Sequence, residues 1–198
     1  MGGVLLIPNS PKPVIYLNNM GSQMEQIHSA LASINRLATQ HVDLNRMIIL
    51  GVFHNIPGLK ETNEVWRNNV LSIAQVMDKL YSTNGAIVNE FQKMLNMHGN
   101  MILDLSRKIK RNPHNAENYR KEYVDSVDHL AQIVFGLTGG DLNIIRDGFR
   151  RHHELDFDQI IAVSRGKNGI ERYQQSLNTV YNLMAYLQKL MGTKMNMY

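Results

Sequence analysis

Residues 62–111 read TNEVWRNNVLSIAQVMDKLYSTNGAIVNEFQKMLNMHGNMILDLSRKIKR, and this stretch decides the fold that the sequence predicts. Positions spaced alternately three and four apart along it are apolar, except at Asn84 and His98. The members of this heptad stripe are Trp66, Val70, Ile73, Met77, Leu80, Asn84, Ile87, Phe91, Met94, His98, Met101 and Leu105. Such a pattern is typical of a helix that packs against other helices.

The sequence Ser82, Thr83, Asn84 and Gly85 interrupts this stretch with residues typical of a turn. The heptad stripe nevertheless keeps its phase across these four residues, which a hairpin has no need to do. We therefore predict one continuous helix over residues 62–110, kinked near Gly85 and roughly 70 Å long, in which Asn84 is partly buried. The alternative is two shorter helices joined by an Asn-Gly turn with positive φ angles.

Apolar periodicity and capping signals divide the rest of the chain. A first helix is predicted from Ser22, three residues before its capping-box partner Glu25, to about Gly51. Further helices are predicted over about 116–137 and 170–191, with shorter elements within 141–169. These signals predict an all-α fold, a helical bundle of four main helices around one long central helix, as a single domain over residues 20–198.

Short connections between these helices predict that sequential helices pack antiparallel. Neighbouring residues of the first helix and the long helix should then have numbers that sum to about 112. Across the next connection, the long helix and the third helix should pair residues whose numbers sum to about 226. The long helix would thus be shared by two layers.

Residues 1–19 form a segment of a different kind, an extended N-terminal arm. Pro8, Pro11 and Pro13 exclude a helix there. The segment is too apolar for a disordered tail, with Val4, Leu5, Leu6, Ile7, Val14, Ile15, Tyr16 and Leu17. We expect the arm to lie either on its own bundle or on a neighbouring subunit.

Composition limits the classes of function. The chain has 198 residues, no cysteine and a formal net charge of +4, with a pI near 9.3. These values exclude disulfides and thiolate metal sites, and they are compatible with nucleic acid. The longest apolar run, residues 47–53, is too short to span a bilayer, and the N-terminus lacks a secretory signal. We therefore expect a soluble chain, cytoplasmic or part of a virion, without a membrane partner.

Glu25 and His28 have the Glu-x-x-His spacing used by di-iron bundles. That chemistry needs a second such motif and further glutamates, which the sequence lacks, so a structural role is favoured. The antiparallel pairing places His28 opposite Asn84, as a polar pair.

A second group combines Asp125 and His129, four residues apart, with His98 on the opposing helix. A buried histidine beside a carboxylate is able to act as a metal ligand or a base. It is equally able to fix the register of packed helices, and we favour that interpretation.

Two basic clusters are candidate phosphate contacts, one at the end of the long stretch and one near residue 150. Their members are Arg107, Lys108, Lys110, Arg111, Arg146, Arg150 and Arg151. For the first cluster, cations in the last turn of a helix are already explained by the helix dipole. Residues 150–158 mix acids with bases, which favours a solvated loop paired with itself.

No phosphate-cradling loop, nucleophile elbow or zinc-protease motif occurs in the sequence, and cysteine nucleophiles are excluded. We therefore expect a protein that is not an enzyme and that carries no cofactor. The leading hypothesis is a structural or assembly protein, such as a virion-type coat, a scaffold or a subunit of a larger complex. It would self-associate as a homo-oligomer through the N-terminal arm and its helix faces. The alternatives are a nucleic-acid-binding accessory protein and a metal-binding helical-bundle protein.

Overall fold

The computed structural model describes residues 20–98 and 100–195, with side chains over 25–96 and 100–190, so the predicted N-terminal arm lies outside the described residues. Every regular element in those ranges is helical, which confirms the predicted all-α class. The elements are α1 (Met20–His54), α2 (Leu59–Tyr81), α3 (Ala86–His98), α4 (Met101–Arg111), a 3-10 helix (Pro113–Asn115), α5 (Ala116–Asp125), α6 (Val127–Thr138), α7 (Leu142–Ser164) and α8 (Ile170–Met195). None of the helices in the two ranges is long and apolar enough to cross a lipid bilayer.

The prediction of one long helix over residues 62–110 is wrong. The helix stops at Tyr81 because the backbone enters the left-handed region, with φ of 51° at Ser82, 51° at Asn84 and 86° at Gly85. The Asp78 carboxylate holds this turn by accepting from the Gly85 N–H at 2.9 Å with each of its oxygens. Asn84 is exposed at the turn and not buried as the heptad stripe predicts.

The alternative of two shorter helices is correct, because α3 runs back along α2. The Arg67 guanidinium donates to the Leu95 carbonyl at 3.3 Å, and the Asn100 amide donates to Asn63 at 2.9 Å. A further break precedes α4, where the Asn100 side chain caps the new helix by accepting from the Leu103 N–H at 3.1 Å. The central element is therefore three helices, each with its own apolar face.

The antiparallel pairing of α1 with α2 is confirmed. The Trp66 indole N–H donates to Asn45 Oδ1 at 2.8 Å, and the Asn69 amide donates to the Leu37 carbonyl at 3.0 Å. Both pairs fall close to the register that the short connection predicts.

The second predicted register holds only beside the connection between α4 and α5. There Lys108 Nζ lies 3.6 Å from a carboxylate oxygen of Glu122 and 5.6 Å from the centre of the Tyr119 ring. The two-layer arrangement fails beyond this point, because α3 folds back on α2.

Residues 141–169 contain one long helix, α7, where we predicted shorter elements. Residues 150–158 lie within α7, so the predicted loop is also wrong, and Leu155 and Phe157 are each 1% exposed. The reason lies on the inner face of α7, where polar residues occupy positions normally filled by apolar ones. Buried residues of that face are Ile145, His152, Asp156, Gln159 and Val163. Antiparallel α8 covers α7, with Leu183 packed close to Gly148.

The core has two main apolar clusters. One surrounds Ile48, Ile109 and Phe157, and the other surrounds Ala74, Phe91 and Ile145. Side chains of both clusters line one internal cavity, and the polar face of α7 lies at an end of that cavity. This arrangement positions the candidate site.

Candidate functional site

A buried carboxylate organises the interior of the bundle. Asp156 on α7 is 1% exposed and accepts a hydrogen bond from the Asn45 amide of α1 at 2.8 Å. The Tyr123 hydroxyl of α5 donates to the same oxygen, Oδ2, at 3.5 Å, and the Ser176 hydroxyl of α8 donates to Oδ1 at 3.4 Å. We call these residues, together with His152, the Asp156 cluster.

The cluster reaches a fifth helix through Asn45. The oxygen of this amide accepts from the Trp66 indole N–H of α2 at 2.8 Å, while its nitrogen donates to Asp156. Asn45 is 2% exposed, so both bonds lie away from water. Helices α1, α2, α5, α7 and α8 are thus joined by one polar network, which fixes their relative positions.

Two adjacent histidines of α7 contact members of this cluster. His152 Nδ1 is 2.7 Å from Ser176 Oγ, while its Nε2 lies 3.5 Å from Asp156 Oδ2 without a hydrogen bond. His153 Nδ1 is 3.2 Å from the Tyr123 carbonyl, and the His153 ring stacks on the Tyr123 ring with centroids 4.3 Å apart. The two rings therefore occupy fixed positions against α8 and α5.

A third histidine, His41 of α1, completes the group from the opposite side. Its ring centre lies 6.0 Å from that of His152 and 5.6 Å from that of Trp66. The Asn69 side chain of α2 interacts with this ring and opposes the lowering of its pKa. Three imidazoles from two helices thus surround one small space.

Burial decides the charge of these groups. Desolvation raises the pKa of the Asp156 carboxyl to about 7, although His41 and the hydrogen bond from Asn45 oppose this. Desolvation lowers the pKa of His41 and His152 to about 4 and that of His153 to about 3. For His41 and His153 the nearby His152 adds to the lowering. At neutral pH the three imidazoles are therefore uncharged, and Asp156 is close to its own titration midpoint.

Ser176, His152 and Asp156 together have the composition of a hydrolytic triad, but their placement does not suit one. Ser176 is 0% exposed and is absent from the residues that line the cavity. Its hydroxyl contacts both His152 and Asp156, so the three groups form a closed ring. A nucleophile must reach the bond that it attacks, and this hydroxyl has no such access.

A cavity of about 250 Å³ adjoins the histidines. Its polar end is formed by His41, Asn45, Trp66, Tyr123, His152 and His153. The remaining walls are mainly apolar and come from α1, α2, α3, α4, α6, α7 and α8. This combination of an apolar space with a few convergent polar groups is what small-molecule sites have in common.

The first predicted basic cluster lies on α4. Lys110 Nζ donates to the Val52 carbonyl and, at 2.8 Å, to the Asn55 side chain, so it caps the C-terminal end of α1. Lys108 pairs with Glu122. Arg107 and Arg111 are exposed. Two of the four cations are therefore already used within the protein.

The second predicted basic cluster lies on α7 and faces acids. Arg150 lies 3.0 Å from Asp128 and 3.4 Å from Asp125, and Arg146 lies 3.7 Å from Asp128. Arg151 pairs with Glu154 at 3.6 Å, one turn away. These pairs reduce the positive field of the cluster, and phosphate binding by the seven cations stays a prediction.

The histidine and carboxylate pairs that the sequence predicts lie on the surface, and they form no site. Glu25 and His28 are exposed, as is Asn84, so His28 and Asn84 do not make the predicted buried pair. Asp125 and His129 are also exposed, because they lie on the outer faces of α5 and α6.

The interpretation of Asp125 and His129 as a buried register device is therefore wrong. The side chain of His98, their predicted partner, lies outside the described residues. Over the part of the chain that the structure describes, no group of three or more metal-ligating side chains is arranged to hold an ion.

Sequence reasoning missed the cluster around Asp156. Asn45 and His41 fall in the otherwise apolar stripe of α1, and this was the available signal for buried polar groups. Ser176 carries no such signal, since it lies beside the apolar stripe of α8. The residues are brought together by contacts over as many as 111 positions, between Asn45 and Asp156.

Comparisons of the chain with protein-family models, with curated proteins and with solved structures find no match.

Proposed function

We propose that the protein is a non-enzymatic structural or assembly protein that forms homo-oligomers or joins a larger complex, of the kind found in virion-type coats and scaffolds. The observation that supports this proposal most is that the buried polar groups hydrogen-bond the helices to one another. The Asp156 cluster bonds α1, α5, α7 and α8 to one another and encloses its serine hydroxyl. A network of this kind specifies which helices pack together and in which register.

The N-terminal arm, residues 1–19, is the proposed contact between copies. It directly precedes α1, which packs against α2, α4, α7 and α8. An arm that exchanges between subunits would therefore act on a helix that packs against four others in each copy. Apolar side chains that are exposed one at a time on helix faces are common, so we assign them a smaller part.

Sedimentation velocity of the full-length chain at high micromolar concentration tests this proposal. A Leu5→Asp and Leu6→Asp double variant places two charges in the apolar part of the arm. The matched control, Asn9→Asp with Asn18→Asp, adds the same charge at polar positions of the same segment. We expect oligomers for the natural chain and the control, and monomers with unchanged circular dichroism for the leucine variant.

Two results contradict self-association through the arm: a monomeric natural chain at that concentration, or a leucine variant that assembles as the natural chain does. Either result removes the arm as a contact between copies.

The nucleic-acid alternative has less support, because Arg146, Arg150, Arg151 and Lys108 lie beside acidic side chains. If it were correct, affinity for mixed-sequence DNA or RNA would be measurable at 50 mM salt and would fall steeply as salt rises. We expect no binding of this kind.

A further inference from the structure

The cavity beside the histidines is large for the interior of a small helical domain. Protein interiors are close-packed, and voids larger than a water molecule are few. The volume here is about 250 Å³. A dry apolar cavity of about 150 Å³ is able to hold one benzene molecule. By proportion, this space has room for a molecule of about ten non-hydrogen atoms.

The walls of the cavity suit an alkyl chain. Phe91, Val134 and Leu183 contribute apolar surface, and three methionines, Met77, Met94 and Met184, contribute flexible thioethers. Methionine side chains adapt their shape to what they contact, so this lining is able to close around a ligand.

The cavity is elongated and has two different ends. Asn45 lies at one end, beside His41, and Leu31 at the other, fourteen residues from Asn45 on α1, which corresponds to about 21 Å along a helix. Leu31, Leu80 and Gln188 at the second end are partly exposed, which gives a ligand access from solvent. A linear molecule fits this shape better than a round one.

The polar end carries an unsatisfied nitrogen. His152 Nε2 is buried without a hydrogen-bond partner, and both His152 and His41 line the cavity. His152 is only 5% exposed. A buried polar atom without a partner is unfavourable, so a ligand that supplies a hydrogen bond there would be stabilised.

The same end disfavours a charged ligand. The pKa of each imidazole is lowered by burial, so neither ring carries a compensating positive charge at neutral pH. The nearby Asp156 carboxyl would repel an anion. A neutral imidazole presents one donor and one acceptor, which suits a hydroxyl or a carbonyl group.

We propose that this cavity binds an uncharged, mainly apolar, linear molecule of about ten non-hydrogen atoms, with its one hydroxyl or carbonyl group hydrogen-bonded to His152, beside His41. Medium-chain alcohols belong to this chemical class. The proposal is independent of self-association, since the site lies within one copy.

The chain carries its own reporter for this site. Trp66 is the one tryptophan in the sequence and lines the polar end of the cavity. Titration of the full-length protein with 1-octanol should therefore change the tryptophan fluorescence in a saturable manner, with calorimetry giving one site per chain. Octanoate at pH 7.4 should bind at least tenfold more weakly, because its carboxylate would place a negative charge at the polar end of the cavity, near Asp156.

A pair of alanine substitutions locates the site. Ala38 on α1 lines the cavity and Ala185 on α8 is exposed. Ala38→Phe should fill the cavity and weaken octanol binding at least tenfold, whereas Ala185→Phe, the matched control, should leave it unchanged.

If Ala38→Phe does not fold, the methyl resonances of the unmodified protein locate the ligand instead. Those of Met77, Met94 and Met184 should shift with octanol, and that of exposed Met47 should not. The proposal is overturned by the lack of saturable octanol binding, by shifts at Met47 alone, or by octanoate binding as tightly as octanol. A cavity filled by water, or by another segment of the same chain, would give the first of these results.

Discussion

Two polar clusters built by α7 lie on opposite sides of the helix. On the outer side, the Arg150 guanidinium pairs with Asp125 and Asp128, and the Arg150 side chain is 37% exposed. On the inner side, six residues further along, Asp156 is 1% exposed and bonded to Asn45. Both clusters join α7 to other helices through carboxylates.

The difference shows that burial, and not the number of charged contacts, determines what a polar cluster does here. Water remains available to Arg150 and its acids if one partner is lost, so the pair contributes little to stability. The partners of Asp156 have no such replacement, because an unpaired buried group keeps its full desolvation cost.

The largest effect is expected from Asp156→Ala. The change leaves the Asn45 amide and the Tyr123 and Ser176 hydroxyls without their acceptor. Urea denaturation should show a loss of about 3 kcal/mol or more in the free energy of unfolding. Asp156→Asn, which keeps the volume and one acceptor oxygen, is the matched control and should cost about 1 kcal/mol. Equal losses for the two variants would contradict the role of the carboxylate as acceptor.

The next effect is a dependence of stability on pH. Because the pKa values of His41, His152 and His153 are lowered in the folded protein, their contribution is present above pH 6.5 and is lost as the pH falls. Asp156 acts in the opposite direction, since its raised pKa makes its contribution present below about pH 4 and lost as the pH rises toward 7. Because three histidines act against one carboxyl, the net effect on the free energy of unfolding has the sign of the histidine contribution.

The unfolded chain should therefore bind about two more protons than the folded one between pH 6 and 5. The free energy of unfolding should fall by roughly 2 kcal/mol per pH unit in this window. His152→Gln should reduce that slope. Urea denaturation at several pH values measures it, and a stability that stays constant or rises on acidification argues against neutral interior histidines.

The exposed turn at residues 82–85 tests how much backbone conformation contributes to stability where side chains are not buried. Gly85 has a φ of 86° and open space around it, so Gly85→Ala introduces backbone strain without a steric contact. We expect a loss of about 1 kcal/mol, and a similar loss for Asn84→Leu at a φ of 51°. Asn89→Ala, at an exposed helical position of α3, is the control and should not destabilise. Thermal melting measures these effects. If both substitutions in the turn were stabilising, the result would support the continuous helix over residues 62–110 instead of the turn.

The smallest effect is expected from Arg150→Ala. The ion pairs with Asp125 and Asp128 are on the surface, and we expect a loss of at most about 1 kcal/mol that shrinks further in high salt. A loss as large as that of Asp156→Ala, measured in the same urea titration, would end the contrast between the two sides of α7.

The helices of the described chain were largely predictable, because each apolar stripe reports one buried face. The stripes of α1 and α8 have the expected extents, and the short connection fixed the pairing of Trp66 with Asn45. The break at residues 82–85 was visible in its turn residues, but the heptad phase outweighed them in the prediction. The continuity of the heptad phase is accidental. Helices α2 and α3 each turn an apolar face to the core, and the four turn residues between them happen to keep the three-and-four spacing.

The candidate site was not predictable from periodicity. His152, Asp156 and Gln159 occupy inward positions of α7, so the apolar pattern that would reveal the helix is missing where the site lies. Their partners come from helices far away along the sequence, as with Tyr123 and Ser176. Such contacts follow from the packing of the helices in three dimensions.

The central claim is that the interior of the bundle holds its histidines uncharged beside Asp156. Two-dimensional ¹H–¹⁵N NMR of the imidazole rings at pH 6 measures this directly, with the signals among the eight histidines assigned by single His→Gln substitutions. We predict that His41, His152 and His153 are all neutral at pH 6, because burial lowers the pKa of the first two to about 4 and of the third to about 3. Protonated rings at these three positions at pH 6 would contradict the account.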